Sequence, residues 1–320
     1  MALNLERMLE RCQGGQWDID AFDWHAKPAP LSRFDEVEAC NQFTNLIYVE
    51  RIAALAFLEF SKKADSPLER EIFKTFYDDE VRHAEAMFRL SNYFNQNNYK
   101  IYTPDRNLVR FVRSMSTMIK DISPEFASAM VTAGELVLDV ALLRSVNDYI
   151  DDPLSRAVIE KVNQDESRHI AMDFYLCEKY GDVETEPMGV RGFLKTMSDP
   201  TLISGMAWAT VALSDLFGRV QAIMDPEGKR FREAQRRFAQ LGEKNPAIAA
   251  NRNYAAVLKI NTATQTITDE ITRIMKLLRV GLYKKIDRAE AAGEKKHYDE
   301  TNLPQHDVIQ SAVDMMEQDD

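Results

Sequence analysis

A five-residue pattern that combines acidic residues with a histidine occurs twice in this chain of 320 residues. The two copies are Asp79–His83 and Asp165–His169, and in each a glutamate stands three residues before the histidine. On an α-helix this spacing puts the glutamate and the histidine on the same face. A further glutamate lies about one helix length before each copy, Glu50 before the first and Glu135 before the second. The repeat therefore predicts helices that carry matched sets of carboxylates and imidazoles.

The helical phase of each segment places these side chains among apolar residues. Glu50 is three, four or seven residues from the apolar positions of its own segment, and the other three glutamates lie in apolar stripes in the same way. A buried glutamate without a partner costs several kcal/mol, and four of them would repel one another. Two divalent cations would cancel four negative charges. We therefore predict a two-metal site whose ligands are Glu50, Glu80, His83, Glu135, Glu166 and His169.

The donor set indicates which metals would bind. Oxygen and imidazole ligands without sulfur suit iron or manganese, and they suit zinc less well for a redox role. Asp79 and Asp165 each lie four residues before a histidine and are placed to accept a hydrogen bond from a metal-bound imidazole, either their own or the facing one. Arg82 and Arg168 lie three residues after these aspartates and are placed to pair with them. Ordinary surface salt bridges are the alternative for all four residues.

Cap-and-proline signals divide the chain into long helices. Ser66-Pro67-Leu68-Glu69 is a capping box with proline at the first helical position, and Ser123-Pro124, Asp152-Pro153 and Asp199-Pro200 repeat the signal. No run of alternating strand residues occurs. The predicted helices span residues 33–64, 67–96, 124–150, 153–180, 200–224, 227–241 and 246–291.

The connections between these helices indicate the topology. Short links join the first helix to the second and the third to the fourth, whereas a long stretch around a partly helical segment at 108–118 joins the two pairs. We predict an all-α fold, a four-helix bundle of two hairpins joined by a long crossover, with additional C-terminal helices. The predicted organisation begins with an N-terminal segment packed on the bundle (1–32), followed by the bundle itself (33–181). Additional helices that complete the domain or form an interface follow (182–293), and a loosely ordered acidic tail ends the chain (294–320).

Bulk properties exclude some functions. The net charge of −11 argues against a nucleic-acid partner. Cys12, Cys40 and Cys177 are far apart and odd in number, as expected of reduced thiols in a cytosol. Residues 1–16 contain no apolar signal region, and the most apolar stretch, 202–213, is too short to span a bilayer. We therefore expect a cytoplasmic protein without a membrane span.

The order of the six predicted ligands resembles that of the ferritin-like di-iron carboxylate superfamily, and the resemblance covers roughly residues 33–180. The doubled D-E-x-R-H pattern resembles the hydroxylase subunits of bacterial multicomponent monooxygenases. The compact spacing within one chain of this size looks more like the arylamine N-oxygenases and the acyl-carrier-protein desaturases. The resemblance implies a ferritin-like bundle that binds two iron ions, or a manganese–iron pair, and uses O₂ as co-substrate.

Four positions depart from these families or leave a role open. Met87 stands where ribonucleotide reductase small subunits carry a radical tyrosine, and Val162 stands where arylamine N-oxygenases add a histidine ligand. Asp139 lies one turn after Glu135, near where monooxygenases often have a threonine. As a catalytic candidate it would relay protons or add a carboxylate ligand; otherwise it is an ordinary polar residue. Tyr77, one turn before Glu80, is a second catalytic candidate that would hydrogen-bond a ligand or move an electron, with core packing as the alternative.

The resemblance implies an oxidoreductase that hydroxylates, N-oxygenates or desaturates an organic substrate, free or bound to a carrier protein. Glu80 and Glu166 would bridge the metals, and Glu50 and Glu135 would be terminal ligands. Turnover would need an electron donor such as a ferredoxin or a reductase, and we expect a homodimer. The basic runs within 229–237 and 279–288 are either a docking site for an acidic partner or solvated helix faces. The alternatives are a ferritin-like ferroxidase or iron-handling protein without an organic substrate, and a metal-free helical interaction protein.

Overall fold

The computed structural model of the protein describes residues 3–120, 124–180 and 200–262, and within 265–277 the residues 265–266, 269–270, 273–274 and 277. All regular secondary structure in these ranges is helical, which confirms the predicted all-α class. The predicted acidic tail at 294–320 lies outside the described residues, as do the residues 181–199 that follow the predicted bundle.

Helices of very different lengths alternate along the chain. The first half contains α1 (Leu5–Gly14), a short 3₁₀ turn (Ile19–Ala21), α2 (Arg33–Lys63), α3 (Pro67–Phe94) and α4 (Arg106–Met118). The second half contains α5 (Pro124–Leu136), a π-helix (Val137–Leu143), α6 (Arg144–Ile150), α7 (Pro153–Lys179), α8 (Pro200–Ile223), α9 (Lys229–Lys244), α10 (Pro246–Ala250) and further helical residues at 252–262.

Side-chain caps start the long helices, two of them at the predicted positions Ser66 and Asp152. The side chains of Ser32, Ser66 and Asp152 each accept a hydrogen bond from the backbone N–H three residues ahead. Pro67 and Pro153 occupy the first turn of α3 and α7, where a missing backbone N–H leaves no hydrogen bond unmade. These local signals fix where three of the long helices begin.

Two features differ from the sequence prediction. The predicted helix at 246–291 is interrupted at Asn251, because its side-chain oxygen accepts hydrogen bonds from the N–H groups of Asn253 and Tyr254 and so starts a new helix. The second difference is helix α1, which the sequence patterns do not predict. Asn4 caps it through the N–H of Arg7, and it buries Met8 and Cys12.

Four helices surround a common interior. Helix α2 packs along α3, α5 packs along α7, and the pairs meet where α3 contacts α7 and α2 contacts α5. Helix α1 lies against α3 and α7, α4 packs on α8, and α9 packs on α5 and the π-helix. The largest fully buried side chains include Phe43, Phe57, Phe73, Phe76 and Phe94. Their burial supplies hydrophobic stabilisation on both sides of the charged residues described below.

The segment Phe126–Ile150 is long and apolar enough to cross a membrane by length and composition. It runs through α5, the π-helix and α6, and most of it is buried inside the protein. A buried core helix passes the same test of length and composition, so this segment is weak evidence for a membrane span.

Candidate metal centre

The structure brings the six predicted ligands together from four helices. Glu50 comes from the middle of α2, Glu135 from the end of α5, and one Glu-x-x-His pair comes from each of α3 and α7. Each of the six side chains is at most 3% exposed. Residues from widely separated parts of the sequence thus meet in the interior, and we call this set of six the cage.

The cage divides into two overlapping groups of potential ligands. Glu50, Glu80, His83 and Glu166 form one group, and Glu80, Glu135, Glu166 and His169 form the other. In each group the candidate donor atoms all lie within 4.8 Å of one another, close enough to hold a metal ion. Glu80 and Glu166 belong to both groups.

The imidazoles point one nitrogen each into the cage. His83 Nδ1 lies 3.2 Å from Glu166 Oε1 and 3.7 Å from Glu80 Oε2. His169 Nδ1 lies 3.1 Å from Glu80 Oε1 and 3.3 Å from Glu166 Oε2. Each shared glutamate therefore offers one oxygen towards each imidazole.

Most oxygens of the cage carboxylates lack a hydrogen-bond donor among the described residues. Both side-chain oxygens of Glu50, Glu80 and Glu166, and Oε2 of Glu135, have no hydrogen-bond donor among the described residues. The Nδ1 atoms of His83 and His169 are unpartnered as well within the same part of the chain. Since buried polar atoms are normally paired, this set of oxygen and nitrogen atoms fits a bound metal pair.

Electrostatics within the cage supports the same interpretation. Burial, followed by the charge of Glu80, raises the pKa of Glu50 well above its usual range. Burial and the charge of Glu166 do the same to the pKa of Glu135. Burial acts to raise the pKa of Glu166 as well, but the charges of His169 and His83 outweigh it and hold this pKa well below the usual range. Without cations, Glu50 and Glu135 therefore tend to keep protons, and bound cations would replace those protons.

The outer nitrogens of the imidazoles meet the two predicted aspartates crosswise. His83 Nε2 lies 3.0 Å from Asp165 Oδ2, and His169 Nε2 lies 3.4 Å from Asp79 Oδ2. The sequence leaves open whether each aspartate serves its own or the facing histidine, and the structure places it at the facing one. An ionised aspartate only accepts hydrogen bonds, so the Nε2–H group of each imidazole is the donor in these two contacts.

Two arginines complete a layer outside the cage, which we call the Asp–Arg layer and which consists of Asp79, Arg82, Asp165 and Arg168. Arg82 contacts Asp79 closely and lies 3.4 Å from Asp165, and Arg168 lies 2.5 Å from Asp165 and 3.5 Å from Asp79. Both aspartates are fully buried, so the alternative of simple surface salt bridges is wrong.

The Asp–Arg layer keeps its carboxylates charged. Burial opposes ionisation, but the hydrogen bond and charge of His83, followed by the charge of Arg168, lower the pKa of Asp165 to about 2. The hydrogen bond and charge of His169 likewise lower the pKa of Asp79. For both histidines burial acts to lower the pKa, yet hydrogen bonds and charges from the surrounding carboxylates raise it well above the usual range.

Of the two catalytic candidates, Tyr77 is not among the cage residues, and the structure does not describe the side chain of the other, Asp139. Tyr77 packs half-buried at the edge of the apolar cluster that contains Phe57 and Phe76, a position typical of core packing. Asp139 lies in the π-helix directly after Glu135, but its side chain is outside the described part of the structure. The sequence patterns do not predict the π-helix itself, and such segments occur often at functional sites.

Sequence reasoning missed Asp173, which lies one turn after His169 on the same face of α7. It is fully buried, and both of its oxygens lack a partner among the described residues. Burial raises its pKa well above the usual range. The sequence signal that could have identified it is its position four residues after the predicted ligand His169, which puts both side chains on one helix face. It lies outside both ligand groups of the cage.

His169 also has an aromatic wall on one side. Its ring centroid lies 4.2 Å from that of Phe76 and 5.0 Å from that of Phe57. These rings exclude water from one side of the cage.

Comparisons with known proteins give no further assignment. No model of a known protein family matches the chain. A search of curated proteins finds no match either.

Proposed function

We propose that the protein is an O₂-activating oxidoreductase with a dinuclear non-haem iron centre in the cage. The observation that carries the proposal is the set of fully buried, unpartnered carboxylate oxygens arranged in two groups that share Glu80 and Glu166 among the described residues. Four glutamates and two histidines from four helices, with a long connection between the helical pairs, are what a ferritin-like di-iron bundle would present. The described donor atoms are all oxygen or nitrogen, which favours iron or a manganese–iron pair.

The residues of the chain would have distinct tasks. Glu80 and Glu166 would bridge the two positions, and Glu50 and Glu135 would be terminal ligands, one at each end. His83 and His169 would ligate through Nδ1 while the Asp–Arg layer fixes their orientation. When bound, the metal pair would supply the redox chemistry with O₂, and the protein would supply the geometry and the dry surroundings.

The proposed metal chemistry implies an organic substrate and an external source of electrons. We propose that an organic substrate is hydroxylated, N-oxygenated or desaturated, with electrons from a ferredoxin or reductase. The basic run on α9 gives little support for docking such a partner, because several of its cations are already paired. Lys229 pairs with Glu227, Arg230 pairs with Asp148, and Arg237 pairs with Glu233. The second basic run, at 279–288, lies outside the described residues.

Anaerobic loading with Fe²⁺, followed by exposure to O₂, tests the proposal. We expect about two iron ions per chain, and O₂ consumption that continues catalytically when a suitable organic compound and an electron donor are present. The variant Glu36→Gln is a matched control for a Glu-to-Gln change in the cage. Glu36 is equally buried, but it accepts hydrogen bonds from the backbone and side chain of Asn97 and lies about four helical turns before Glu50 on α2. This variant should load iron like the wild type.

Two other outcomes would contradict the proposal. Oxygen use that stops in proportion to the iron added, with no stimulation by any organic compound, would indicate a ferroxidase or iron-handling protein. Protein that takes up neither iron nor manganese would be a metal-free helical protein, and the cage would have another role.

A further inference from the structure

A short segment after α1 contacts the Asp–Arg layer from outside. It consists of Gly15, Gln16 and Trp17, and we call it the strap. The indole N–H of Trp17 donates to Asp165 Oδ2 at 2.7 Å, and the guanidinium of Arg82 lies 5.0 Å from the centroid of the Trp17 ring. The strap is 148 residues away from Asp165 in sequence, so this contact depends on the tertiary fold.

Gln16 makes the equivalent contact with the other aspartate. Its side-chain amide donates to Asp79 Oδ1 at 2.9 Å and to the carbonyl of Cys12 at 2.8 Å. Its side-chain oxygen accepts a hydrogen bond of 2.7 Å from Arg82. Gln16 therefore connects α1, Arg82 and Asp79, although it is an exposed residue.

Gly15 lets the strap lie this close. A Cβ built at Gly15 would lie 2.7 Å from Nη1 of Arg168 and 2.9 Å from the carbonyl oxygen of Arg11. Neither distance is tolerated by a real side chain, and the second neighbour is backbone that cannot move aside easily. A larger residue at this position would push the strap away from the layer.

The contacts form two parallel series that end at the two imidazoles. Trp17 donates to Asp165, which faces His83, and Gln16 donates to Asp79, which faces His169. Each aspartate is thus held by two arginines and by one strap residue. An aspartate that cannot rotate keeps its imidazole at a fixed angle to the cage.

We infer that Gln16 and Trp17 are positioning residues of the metal centre, which hold Asp79 and Asp165 in place and thereby slow the release of bound metal. The inference rests on the metal centre proposed above, but not on the identity of the metal or on its oxygen chemistry. It assigns separate roles to the two strap residues, Trp17 to the His83 side and Gln16 to the His169 side.

The test uses the full chain loaded with Co²⁺ and compares Trp17→Phe with Trp24→Phe. Trp24 is the matched control because it lies in the same N-terminal segment and donates its indole N–H at 2.8 Å, but to the backbone of Ile19 rather than to the layer. Excess chelator is added, and the rate of Co²⁺ release is followed optically. Since partners of metal-binding histidines affect affinity by about 10–100-fold, we expect release about tenfold faster in Trp17→Phe and unchanged in Trp24→Phe.

A second measurement separates positioning from a general loss of structure. In the Co²⁺ protein, proton NMR detects the shifted Nε2–H signals of the two ligand imidazoles, assigned with Asp165→Asn and Asp79→Asn. Trp17→Phe should speed solvent exchange of the His83 proton only, and Gln16→Ala should speed that of the His169 proton only. Because Gln16 is largely exposed, its variant keeps the test available should Trp17→Phe fold poorly.

The outcomes are distinct. Release rates in Trp17→Phe and Gln16→Ala equal to that of Trp24→Phe, with two Co²⁺ ions bound in each, would overturn this inference and leave the metal centre intact. Equal effects of either strap variant on both imidazole protons would also overturn it. Wild-type protein that binds no Co²⁺ would overturn the metal centre and the inference together.

Discussion

Two sets of buried carboxylates lie side by side in this protein and differ in almost every other respect. Both oxygens of Glu50, Glu80 and Glu166 have no hydrogen-bond donor among the described residues, whereas Asp79 and Asp165 each contact two arginines, a histidine and a strap residue. Both sets are equally excluded from solvent. The pKa values of Glu50 and Glu135 are raised, whereas those of both aspartates are lowered. Glu166 is the cage member whose pKa is lowered, because the charges of the two histidines act on it.

Burial alone therefore does not decide the charge state of a carboxylate. The Asp–Arg layer is neutralised by the protein itself, with two arginines against two aspartates. The cage holds four glutamates and no arginine or lysine contacts them in the described residues, so its neutralisation has to come from protons or from bound cations. Variants that remove a charge from one set or the other test this account.

The largest effect is expected from Glu166→Gln, because Glu166 belongs to both ligand groups. We expect bound metal to fall from two ions per chain to less than one, since both positions lose a charged ligand. Glu50→Gln should remove mainly one ion, because Glu50 belongs to a single group. Elemental analysis after gel filtration measures both, and equal metal content in the two variants would contradict the bridging assignment.

The next largest effect is expected in the Asp–Arg layer. Asp165→Asn leaves Arg168 and His83 without their buried counter-charge, and breaking a buried pair in this way costs about 3–5 kcal/mol. Urea unfolding of the metal-free protein measures the loss. Asp148→Asn is the control, because the carboxylate in its pair with Arg230 is more than half exposed and should contribute less than about 1 kcal/mol. Similar losses in both variants would show that the layer is not a buried ion network.

Asp173 provides the opposite case, a buried carboxylate with neither an arginine among the described residues nor a place in the cage. Asp173→Asn removes a carboxyl group whose pKa burial has raised, so we expect the metal-free protein to gain on the order of 2 kcal/mol of stability at pH 7. The gain should disappear near pH 4, where the unfolded aspartate is itself protonated. A loss of stability at pH 7 would mean that Asp173 has a partner that neutralises its charge.

The smallest effect is the pH dependence of the metal-free protein. Glu50, Glu135 and Asp173 have raised pKa values, so the stability that their protonated forms provide is lost as the pH rises above the ordinary carboxyl range. Asp165, with its pKa lowered to about 2, stabilises the fold above the ordinary range and loses that contribution only as the pH falls towards 2.

We therefore expect the free energy of unfolding of metal-free protein to decrease by about 1–2 kcal/mol between pH 5 and pH 8. The raised pKa values of His83 and His169 act in the same direction, since their protonated forms stabilise the fold at low pH. Denaturant titrations at each pH measure the trend, and metal-loaded protein should not show it. A metal-free protein that becomes more stable towards pH 8 would contradict the assignment of unpartnered carboxylates.

Most of the helical framework could be predicted from the sequence, because helix starts depend on neighbours within one turn. The caps at Ser32, Ser66 and Asp152 are contacts between residues three apart, and the sequence displays them directly. The break at Asn251 is also a local contact, but an asparagine within a long helical pattern gives no clear signal without its geometry. The π-helix after Glu135 has no such local signature.

The sequence by itself determined the composition of the cage, because a spacing of three residues on a helix fixes which side chains share a face, and an apolar stripe fixes that this face is buried. Only the tertiary structure decided how the cage is completed. The crossing of His83 to Asp165 and the contact of Trp17 with Asp165 join residues 82 and 148 positions apart. Such pairings depend on how whole helices pack against one another, and no local spacing encodes them.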